Sequence, residues 1–392
     1  MADIDWTALR NDFACTRDQA FLNTGTLGPV PQPVMERYMA YQREWNAAGP
    51  GNPKIYGGWH QRTEATRSHL AVWLGVDAST LSFAGNVTDA INIGLFGLGW
   101  QAGDRIVTTD EEHGALVAPL SVLADRGVEV EILHYGSGGD ALVERVQAAL
   151  YERPARLVVL SHVSCETGAL VDPERLARVV HEAGGLLMLD GAQAAGQVPL
   201  TLSAWGVDLY ALNGHKWMLG PVGTGALYVA PAVNDRLQMT FVGDGSGYRS
   251  EYPTRMHATW TGEARRFEFA TRPWPALVAW NDVMEYWEGR GVDALMERQR
   301  TLAKTLSDKL RNIRGVRVWS PENPATGITC AEVEGIPGPD VFERLLAEHV
   351  VTRPVRRPWM SAVRFSTAFF TNEEDVDRAV GAMERIAADK DR

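Results

Sequence analysis

Residues 186–220 read LLMLDGAQAAGQVPLTLSAWGVDLYALNGHKWMLG and contain the pattern that decides the fold. Two short apolar runs, Leu186–Leu189 and Leu209–Leu212, are each followed by polar residues and glycines. Apolar runs of this length, bounded by turn residues, are typical of strands buried in a parallel sheet. Such sheets bind ligands just beyond the carboxyl ends of their strands. The stretch therefore predicts two buried strands with a ligand site in the loops that follow them.

The same pattern continues on both sides of this stretch. Between residues 81 and 229, short apolar runs alternate with longer amphipathic segments. This alternation indicates helices on both faces of a mostly parallel sheet. The predicted strands are Leu81–Ala84, Arg105–Thr109, Val128–His134, Leu157–Ser161, Leu186–Leu189, Leu209–Leu212 and Ala226–Val229. The predicted helices up to this point are Val34–Asn46, Thr88–Leu98, Gly114–Arg126, Ala141–Leu150 and Pro173–Ala183.

Beyond residue 275 the pattern is typical of a smaller α+β domain. With 392 residues, the chain is too long for one small core. We therefore divide it into an N-terminal segment (1–20), a large domain (21–274) and a small C-terminal domain (275–392). Within the large domain, residues 21–58 are rich in Gly, Pro and Asn and are expected to form loops around one helix. The small domain is predicted to contain helices Pro275–Gly289, Ala294–Arg314, Gly338–His349 and Asn372–Asp389, and strands Val316–Trp319, Gly327–Val333, Val351–Pro354 and Ala362–Ser366.

Composition excludes several classes of protein. A formal net charge of −11 argues against a nucleic-acid binder, which is usually basic. The three cysteines, Cys15, Cys165 and Cys330, lack CxxC spacing, so neither a zinc site nor a disulfide framework is supported. The N-terminus has no secretory pattern, and no apolar run approaches the ~20 residues of a membrane span. We expect a cytoplasmic protein that binds a small molecule, without metal, membrane or nucleic acid.

Lys216 follows the second apolar run in the order Asn213-Gly214-His215-Lys216. A lysine at the end of a strand is normally a solvated surface residue. Its neighbours here change that interpretation, because Asn213 and His215 can donate hydrogen bonds to a phosphate. A lysine amine whose pKa is lowered by its surroundings is also a nucleophile that forms an imine with a carbonyl cofactor.

Asp190 directly follows the first apolar run. A carboxylate at the end of a buried strand needs a partner, since its burial is otherwise costly. The pyridinium nitrogen of pyridoxal 5′-phosphate (PLP) is such a partner, and Asp190 would keep it protonated so that the ring accepts electrons. Gln193 could then donate to the ring hydroxyl. A helix N-cap is the structural alternative for Asp190, while a metal site lacks a nearby His or Cys ligand.

A further candidate lies between a predicted strand and helix, at Asn86, Val87 and Thr88. Backbone N–H groups at a helix start bind anions, and the Thr88 hydroxyl would add a donor. An ordinary N-cap by Asn86 or Thr88 explains the same residues. Both interpretations are compatible, because a phosphate docks where a helix is capped.

Two histidines and a serine complete the candidates. His113 follows a predicted strand and could stack on a flat cofactor, although a lone histidine is more often structural. His162 and Ser164 follow another strand, and either could reach the edge of the ring. The sequence does not choose between them.

These segments together resemble the class V aminotransferases of PLP-dependent fold type I, a family that includes cysteine desulfurases and isopenicillin-N epimerase. The D-x-x-Q, G-V-D and G-H-K elements of that family have counterparts at Asp190, Gln193, Asp208, His215 and Lys216. The segments LNTGTLGPVP (22–31), SHVSCETGALVD (161–172) and VRFSTAFFTNEEDVDRAV (363–380) also resemble family segments. The similarity extends from about residue 20 to the C-terminus.

The resemblance implies the fold and the role of each residue. The fold is α/β, with a mostly parallel seven-stranded sheet between helices and a smaller α+β domain. Lys216 forms a Schiff base with PLP. The implied cofactor-binding residues are Asn86, Val87, Thr88, His113, Ser164, Asp190, Gln193, Asn213, His215 and Lys216. The implied substrate-binding residues are Asn23, Gly25 and the carboxylate-binding Arg364. Members are homodimers, and the matching loop of the second subunit lies near Thr259–Gly262 or Thr271–Pro273.

The chain departs from the family at three places. Asn213 replaces a serine or threonine, and Cys165 replaces an asparagine that contacts the ring or the substrate. The loop Thr352–Val363 contains no cysteine, although cysteine desulfurases need a nucleophilic cysteine there. We therefore do not expect cysteine desulfurase activity.

The sequence leaves the reaction open. Transamination or epimerisation at the α-carbon of an amino acid is favoured, a carbon–sulfur β-lyase is second, and the amino acid is not identified. A PLP-binding regulatory protein without turnover is a third alternative, against which the retention of Lys216, Asp190 and Arg364 argues. Three further arginines (Arg353, Arg356, Arg357) are either solvated or bind a second acidic group of the substrate.

Overall fold

The structure, a computed structural model, describes residues 4–389. The strands in this range are β1 Ala20–Phe21, β2 Leu81–Ala84, β3 Arg105–Thr109, β4 Glu129–Leu133, β5 Leu157–Ser161, β6 Leu186–Asp190, β7 Leu209–Asn213, β8 Gly225–Val229, β9 Tyr248–Ser250, β10 Ala258–Trp260, β11 Val316–Val318, β12 Ile328–Val333, β13 Val350–Val351, β14 Arg353–Arg357 and β15 Met360–Ser366. The helices are α1 Trp6–Arg10, α2 Gln32–Ala47, α3 Pro53–Leu74, α4 Val87–Gly97, α5 Gly114–Asp125, α6 Gly139–Glu152, α7 Pro173–Glu182, α8 Leu202–Trp205, α9 Pro231–Asn234, α10 Trp274–Glu288, α11 Val292–Arg311, α12 Gly338–Ala347 and α13 Glu373–Ala388.

A seven-stranded sheet forms the centre of the large domain. Its strand order is β2-β8-β7-β6-β5-β3-β4, and β8 runs antiparallel to the other strands. Each of the seven strands predicted between residues 81 and 229 is present, with ends within one residue of the prediction. The α/β architecture of fold type I is therefore confirmed.

Helices cover both faces of this sheet. In β5, Val158 and Leu160 pack into one apolar cluster, while Leu157 and Val159 pack into a second cluster on the opposite face. Successive side chains of a strand point to opposite faces, so a strand covered on both sides is apolar at every position. This burial explains why β5, β6 and β7 are continuous apolar runs in the sequence.

The C-terminal part forms a second, antiparallel sheet in the order β11-β12-β15-β14. Helices α11 and α13 share an apolar cluster with it, and this cluster also contains Ala20 and Leu22 from the N-terminal part. Strand β1 accordingly pairs with β13. Helix α10 packs instead against α2 and α3. The boundary after residue 274 stays a prediction, and this packing favours assigning α10 to the large domain.

One long helix was not predicted. Helix α3 spans 22 residues, Pro53–Leu74, and begins inside the segment expected to form loops. Its first half is mostly exposed and contains Gly57 and Gly58, which disfavour a helix. Leu70 and Leu74 in its second half are buried in the large core. Tertiary packing therefore overrides the weak local preference.

No helix within residues 4–389 combines the length and the apolar character that a membrane span requires.

Candidate active site

The candidate residues gather at one edge of the large sheet, where parallel strands end side by side. Asp190 ends β6 and lies in register with Ser161 at the end of β5 and with Ala211 in β7. Lys216 lies in the turn just after β7. The edge carries the loops that in sheets of this kind bind ligands.

Lys216 lies in a recess of this edge, with only part of its side chain open to solvent. Burial lowers the pKa of its amine to about 8; Asp190 opposes this shift, and the charge of Arg364 adds to it. The N-terminal loop packs on the lysine turn, where the Gly28 N–H donates to the His215 carbonyl at 2.9 Å. A Cβ at Gly28 would lie 2.0 Å from the Lys216 carbonyl oxygen, so only glycine permits this approach.

Asp190 is buried and incompletely satisfied. Its Oδ1 accepts a hydrogen bond from the Ala192 N–H at 2.8 Å, and within residues 4–389 it forms no ion pair. Burial raises the pKa of the carboxyl, while the charge of Lys216 acts in the opposite direction. A buried carboxylate with one hydrogen bond is costly, so the site suits a cationic N–H partner.

The start of α4 lies beside Asn213. The Val87 N–H donates to Asn213 Oδ1 at 2.8 Å, and Asn86 caps the helix by accepting from the Asp89 N–H at 3.0 Å. Asn213 Nδ2 is buried and has no hydrogen-bond partner within the described residues. Thr88 is exposed in the first turn. The Val87 N–H is thus committed to Asn213, and the orphaned Nδ2, together with the exposed Thr88, remains as a donor for an anion at this helix terminus.

Two histidines that the sequence predicts to bind the cofactor, His113 and His215, lie near the lysine. His113 Nδ1 accepts from the Ala115 N–H at 3.1 Å, which assigns the remaining ring proton to Nε2. Burial, followed by the charges of Lys216 and Arg353, lowers the pKa of His113 to about 4, so its imidazole is neutral at pH 7. His215 is buried, with Nδ1 3.3 Å from the Thr224 carbonyl oxygen.

Gln193 is held at both ends of its amide. Its Nε2 donates to the Gly25 carbonyl at 2.9 Å, and its Oε1 accepts from Trp217 Nε1 at 2.6 Å. One amide hydrogen remains for a ligand. Trp217, which is fully buried and was not singled out in the sequence, therefore sets the orientation of Gln193.

The structure places Ser164 in a different role from the predicted one. Its hydroxyl donates to Glu111 Oε2 and accepts from the N–H groups of Glu166 and Thr167 at 3.2 and 3.1 Å. A hydroxyl has one donor and two acceptor positions, so none remains for a cofactor. Ser164 instead stabilises its own turn, and its hydroxyl has no hydrogen-bonding position left for a ligand.

His162 is likewise part of the scaffold. Its Nδ1 lies 2.8 Å from the Tyr210 hydroxyl, and burial lowers the pKa of the imidazole to about 3. The ring is buried against Trp205 and Tyr210 in edge contacts. The two residues that the sequence offered for the ring edge are therefore both engaged by protein partners.

Arg364 connects the small domain to the N-terminal loop. It is fully buried in β15, and its guanidinium donates to the Cys165 carbonyl at 2.8 Å and to Thr26 Oγ1 at 3.0 Å, with Asn23 Oδ1 at 3.5 Å. Its Nε is buried without a partner. A Cβ at Gly25 would lie 3.1 Å from Arg364 Nη2, so this glycine leaves room for the guanidinium. The structure thus brings Asn23, Gly25 and Arg364 together.

The chain is similar to a known family of proteins. The model of the aminotransferase class-V family matches residues 21–379, nearly the whole chain. The chain belongs to the aminotransferase class-V family. Family members are PLP-dependent enzymes, and the chain is one of them.

Relatives within the family carry different activities. Isopenicillin N epimerase of Amycolatopsis lactamdurans is 30% identical over 406 residues, covering 97% of this chain and 98% of the relative. A probable cysteine desulfurase of Methanothermobacter thermautotrophicus is 27% identical over 346 residues, covering 86% and 84%. The solved complex of the cystine C-S lyase C-DES with its product cysteine persulfide has a TM-score of 0.88 and 26% identity, covering 95% and 99%. Because these relatives have different activities, the similarity does not determine which reaction this chain catalyses.

PLP is the cofactor of the family and of this chain. The residues present fit it. The orphaned Nδ2 of Asn213 at the start of α4 suits the phosphate, and the singly hydrogen-bonded Asp190 suits the pyridinium nitrogen. No cluster of metal-ligating side chains occurs in the described range 4–389.

The cysteines near the site are poor nucleophiles. Burial raises the pKa of the Cys165 thiol to about 12, so it is protonated at neutral pH. Cys330 is buried in β12, with its Sγ 3.5 Å from the Met360 sulfur, and burial raises the pKa of its thiol well above its usual value. The structure therefore offers no reactive thiolate at either position.

Proposed function

We propose that this family member transaminates or epimerises an amino acid at its α-carbon, with Lys216 as the residue that binds PLP and moves the α-proton. The observation that carries the proposal is the amine of Lys216, with its pKa lowered to about 8, beside the carboxylate of Asp190 and the guanidinium of Arg364. A neutral amine is both a nucleophile and a base near physiological pH.

Arg364 is the proposed anchor for the α-carboxylate of the substrate. Its guanidinium has no acidic partner within residues 4–389, and its buried Nε is unpaired. A guanidinium binds a carboxylate through two parallel hydrogen bonds, which fixes orientation as well as position. An amino acid held in this way presents its α-carbon toward Lys216, and such positioning accounts for a large share of the rate.

Lys216 then acts as the general base and acid. When bound, PLP accepts the electron pair left at the α-carbon. Asp190 keeps the ring nitrogen protonated, and His113, neutral at pH 7, offers a flat uncharged face beside the lysine. Where Lys216 or water returns the proton decides between transamination and epimerisation. The isopenicillin N epimerase relative supports the second of these.

A carbon–sulfur β-lyase is the second candidate. The similarity to the cystine C-S lyase C-DES favours it, since elimination also begins with removal of the α-proton. A desulfurase reaction additionally needs a cysteine nucleophile. The protonated thiol of Cys165, the buried Cys330 and the absence of cysteine from Thr352–Val363 argue against that route.

A homodimer is part of the proposal. Six exposed apolar side chains lie in the β9–β10 hairpin or shortly before it in the chain, and exposed apolar surface of this kind marks association surfaces. These residues are Phe241, Val242, Tyr248, Tyr252, Met256 and Trp260. The segment Thr259–Gly262 lies in this patch, whereas Thr271 and Arg272 line a cavity of about 280 Å³ between α3 and the 244–247 turn. Both segments remain candidates for the loop that reaches the second subunit.

An absorbance titration tests the function. An amino-acid substrate should shift the absorbance band of the bound cofactor, and incubation in deuterium oxide should give a keto acid for transamination or deuterated, inverted amino acid for epimerisation. Release of a sulfur product would identify the lyase instead. A band that no amino acid shifts would support a regulatory protein and contradict the proposal.

A further inference from the structure

Arg353 lies opposite Arg364 in the small sheet. Strands β14 and β15 are antiparallel, and their register pairs Arg353 directly with Arg364. Side chains of directly opposed residues lie on the same face, with Cβ atoms about 4.5–5.5 Å apart. Two like charges in this arrangement repel each other unless an anion lies between or beside them.

Neither arginine forms an ion pair within residues 4–389, although the charge of Glu166, which pairs with Arg357, also acts on Arg364. The donors of Arg364 go to a carbonyl, a hydroxyl and an amide oxygen, none of which carries a charge. Within residues 4–389, the Arg353 guanidinium forms no hydrogen bond or ion pair. Arg364 is a buried cation without an anionic partner, which is costly, and the partly buried Arg353 places a second unpaired positive charge opposite it, so the pair predicts anionic ligands.

The other two arginines of β14 are different. Arg357 Nη2 donates to Glu166 Oε1 at 3.0 Å and to the Glu112 carbonyl at 2.9 Å, so its charge is already paired. Arg356 is exposed and, by the alternation of a strand, points to the face opposite Arg353. Of the three arginines in this strand, Arg353 therefore remains for a ligand.

Arg353 also faces the proposed reaction site. Its charge contributes to lowering the pKa of Lys216 and of His113, as does the charge of Arg364. Both guanidiniums consequently lie on the side of the small sheet that faces the lysine.

We propose that the substrate carries two anionic groups, the α-carboxylate held by Arg364 and a side-chain carboxylate held by Arg353. The substrate class is an amino acid with an acidic side chain of aspartate or glutamate length. This inference rests on the proposed function, because it assigns the α-carboxylate to Arg364. One substrate with two carboxylates neutralises both guanidiniums, whereas a substrate with a neutral side chain leaves one positive charge uncompensated.

The first experiment requires no turnover. The thermal unfolding of the holoenzyme is followed with increasing glutarate or valerate, which have five carbons each and differ in one carboxylate. Glutarate should bind roughly 10- to 100-fold more tightly, as expected for a charge-assisted hydrogen-bonded contact. Arg353→Gln should abolish this preference, and the matched control Arg356→Gln should retain it. Equal stabilisation by the two acids would overturn the inference.

The second experiment separates the inference from the proposed function. Exchange of the α-proton in deuterium oxide is measured with glutamate and with norvaline, which has the same chain length. In Arg353→Gln the ratio of the KM for glutamate to the KM for norvaline should rise roughly 10- to 100-fold, because the ratio removes any effect that the lost charge has on Lys216 with both substrates. An equal rise for both amino acids would mean that Arg353 shares the α-carboxylate and would overturn the inference. A retained glutarate preference without any exchange would support the two-anion site and refute the proposed function.

Discussion

At Lys216 the protein lowers the pKa of the amine to about 8, against a usual value near 10.4. Roughly a tenth of the amines are then neutral at pH 7, where an ordinary lysine is almost wholly protonated. Burial is the main cause, and the nearby positive charges of Arg364 and Arg353 act in the same direction. The surroundings of the lysine thus supply the reactivity that a solvated lysine lacks.

This pKa predicts how the apoprotein combines with PLP. Only the neutral amine reacts, and neutral amine accumulates as the pH rises through the pKa. The rate of combination should therefore increase with pH and level off above about 8. Rapid-mixing absorbance measurements across pH 6–10 check this, with free Nα-acetyllysine as the control. A midpoint near that of the free lysine would show that the amine is not perturbed.

Asp190→Asn should slow turnover while leaving the fold intact. The substitution keeps the shape of the side chain but removes the charge that holds the ring nitrogen protonated. A nearby opposite charge shifts a pKa by about 1–3 units, so we expect kcat to fall about 10- to 1000-fold. Steady-state kinetics together with thermal unfolding check this, and an unchanged kcat would exclude Asp190 from the electron-accepting role.

Local spacing was sufficient to predict that Lys216, Asp190 and Asn213 lie together at one edge of the sheet, because each follows a recognisable apolar run. The partners of Ser164 and Gln193 were not predictable in the same way. Glu111 lies 53 residues before Ser164, and Trp217 lies 24 residues after Gln193. Which hydrogen bonds are already used inside the protein depends on these distant residues.

At the level of elements, α3 is attached to the large sheet by a buried ion-pair network. Arg67 of α3 donates to Glu268 Oε1 at 2.5 Å and to the Leu81 carbonyl at 2.9 Å, and it also pairs with Glu64 at 3.1 Å. Glu268 in turn accepts from the Phe83 N–H at 2.7 Å. One arginine therefore joins α3, β2 and the segment around residue 268.

Arg67→Leu should destabilise the fold by about 3–5 kcal/mol, because it leaves the largely buried carboxylate of Glu268 without its partner. Arg178→Gln, in α7, breaks an exposed ion pair with Glu174 and should cost less than about 1 kcal/mol. Urea unfolding of both variants gives the comparison. Equal losses of free energy would contradict a special role for Arg67.

Elements differ in how well their sequence specifies them. The central strands were predictable because both of their faces are buried, so every position is apolar. Helix α3 was not, since Gly57 and Gly58 give its first half little local helix preference. Its stability comes from packing against α10, which lies some 200 residues further along the chain.

For the whole molecule, the exposed patch around β9–β10 leads to a prediction about assembly. Trp260→Glu places a charge in the patch and should shift the protein from dimer to monomer in light scattering coupled to gel filtration. Tyr151→Glu, at a highly exposed tyrosine in α6 outside the patch, is the matched control and should remain dimeric. A wild-type monomer, or a dimer in both variants, would contradict the assignment of this surface.

The family and its cofactor follow from residues that all of its reactions share. Transamination, epimerisation and β-elimination each need the lysine, the aspartate and a carboxylate anchor, so these positions do not distinguish them. In the small domain, β14 contains three arginines and no cysteine, and these arginines are the residues from which we argue the substrate. Only the packing of the two domains shows which of those arginines faces the lysine.

The central claim is that Lys216 carries the cofactor, and borohydride reduction of the holoprotein tests it most directly. Reduction makes the covalent bond between the amine and PLP permanent, and mass spectrometry of the digested protein then locates it. We predict the added mass of the reduced cofactor on the peptide containing Lys216, and its absence in a folded Lys216→Ala variant. Label on another lysine, or label that persists in that variant, would contradict the account.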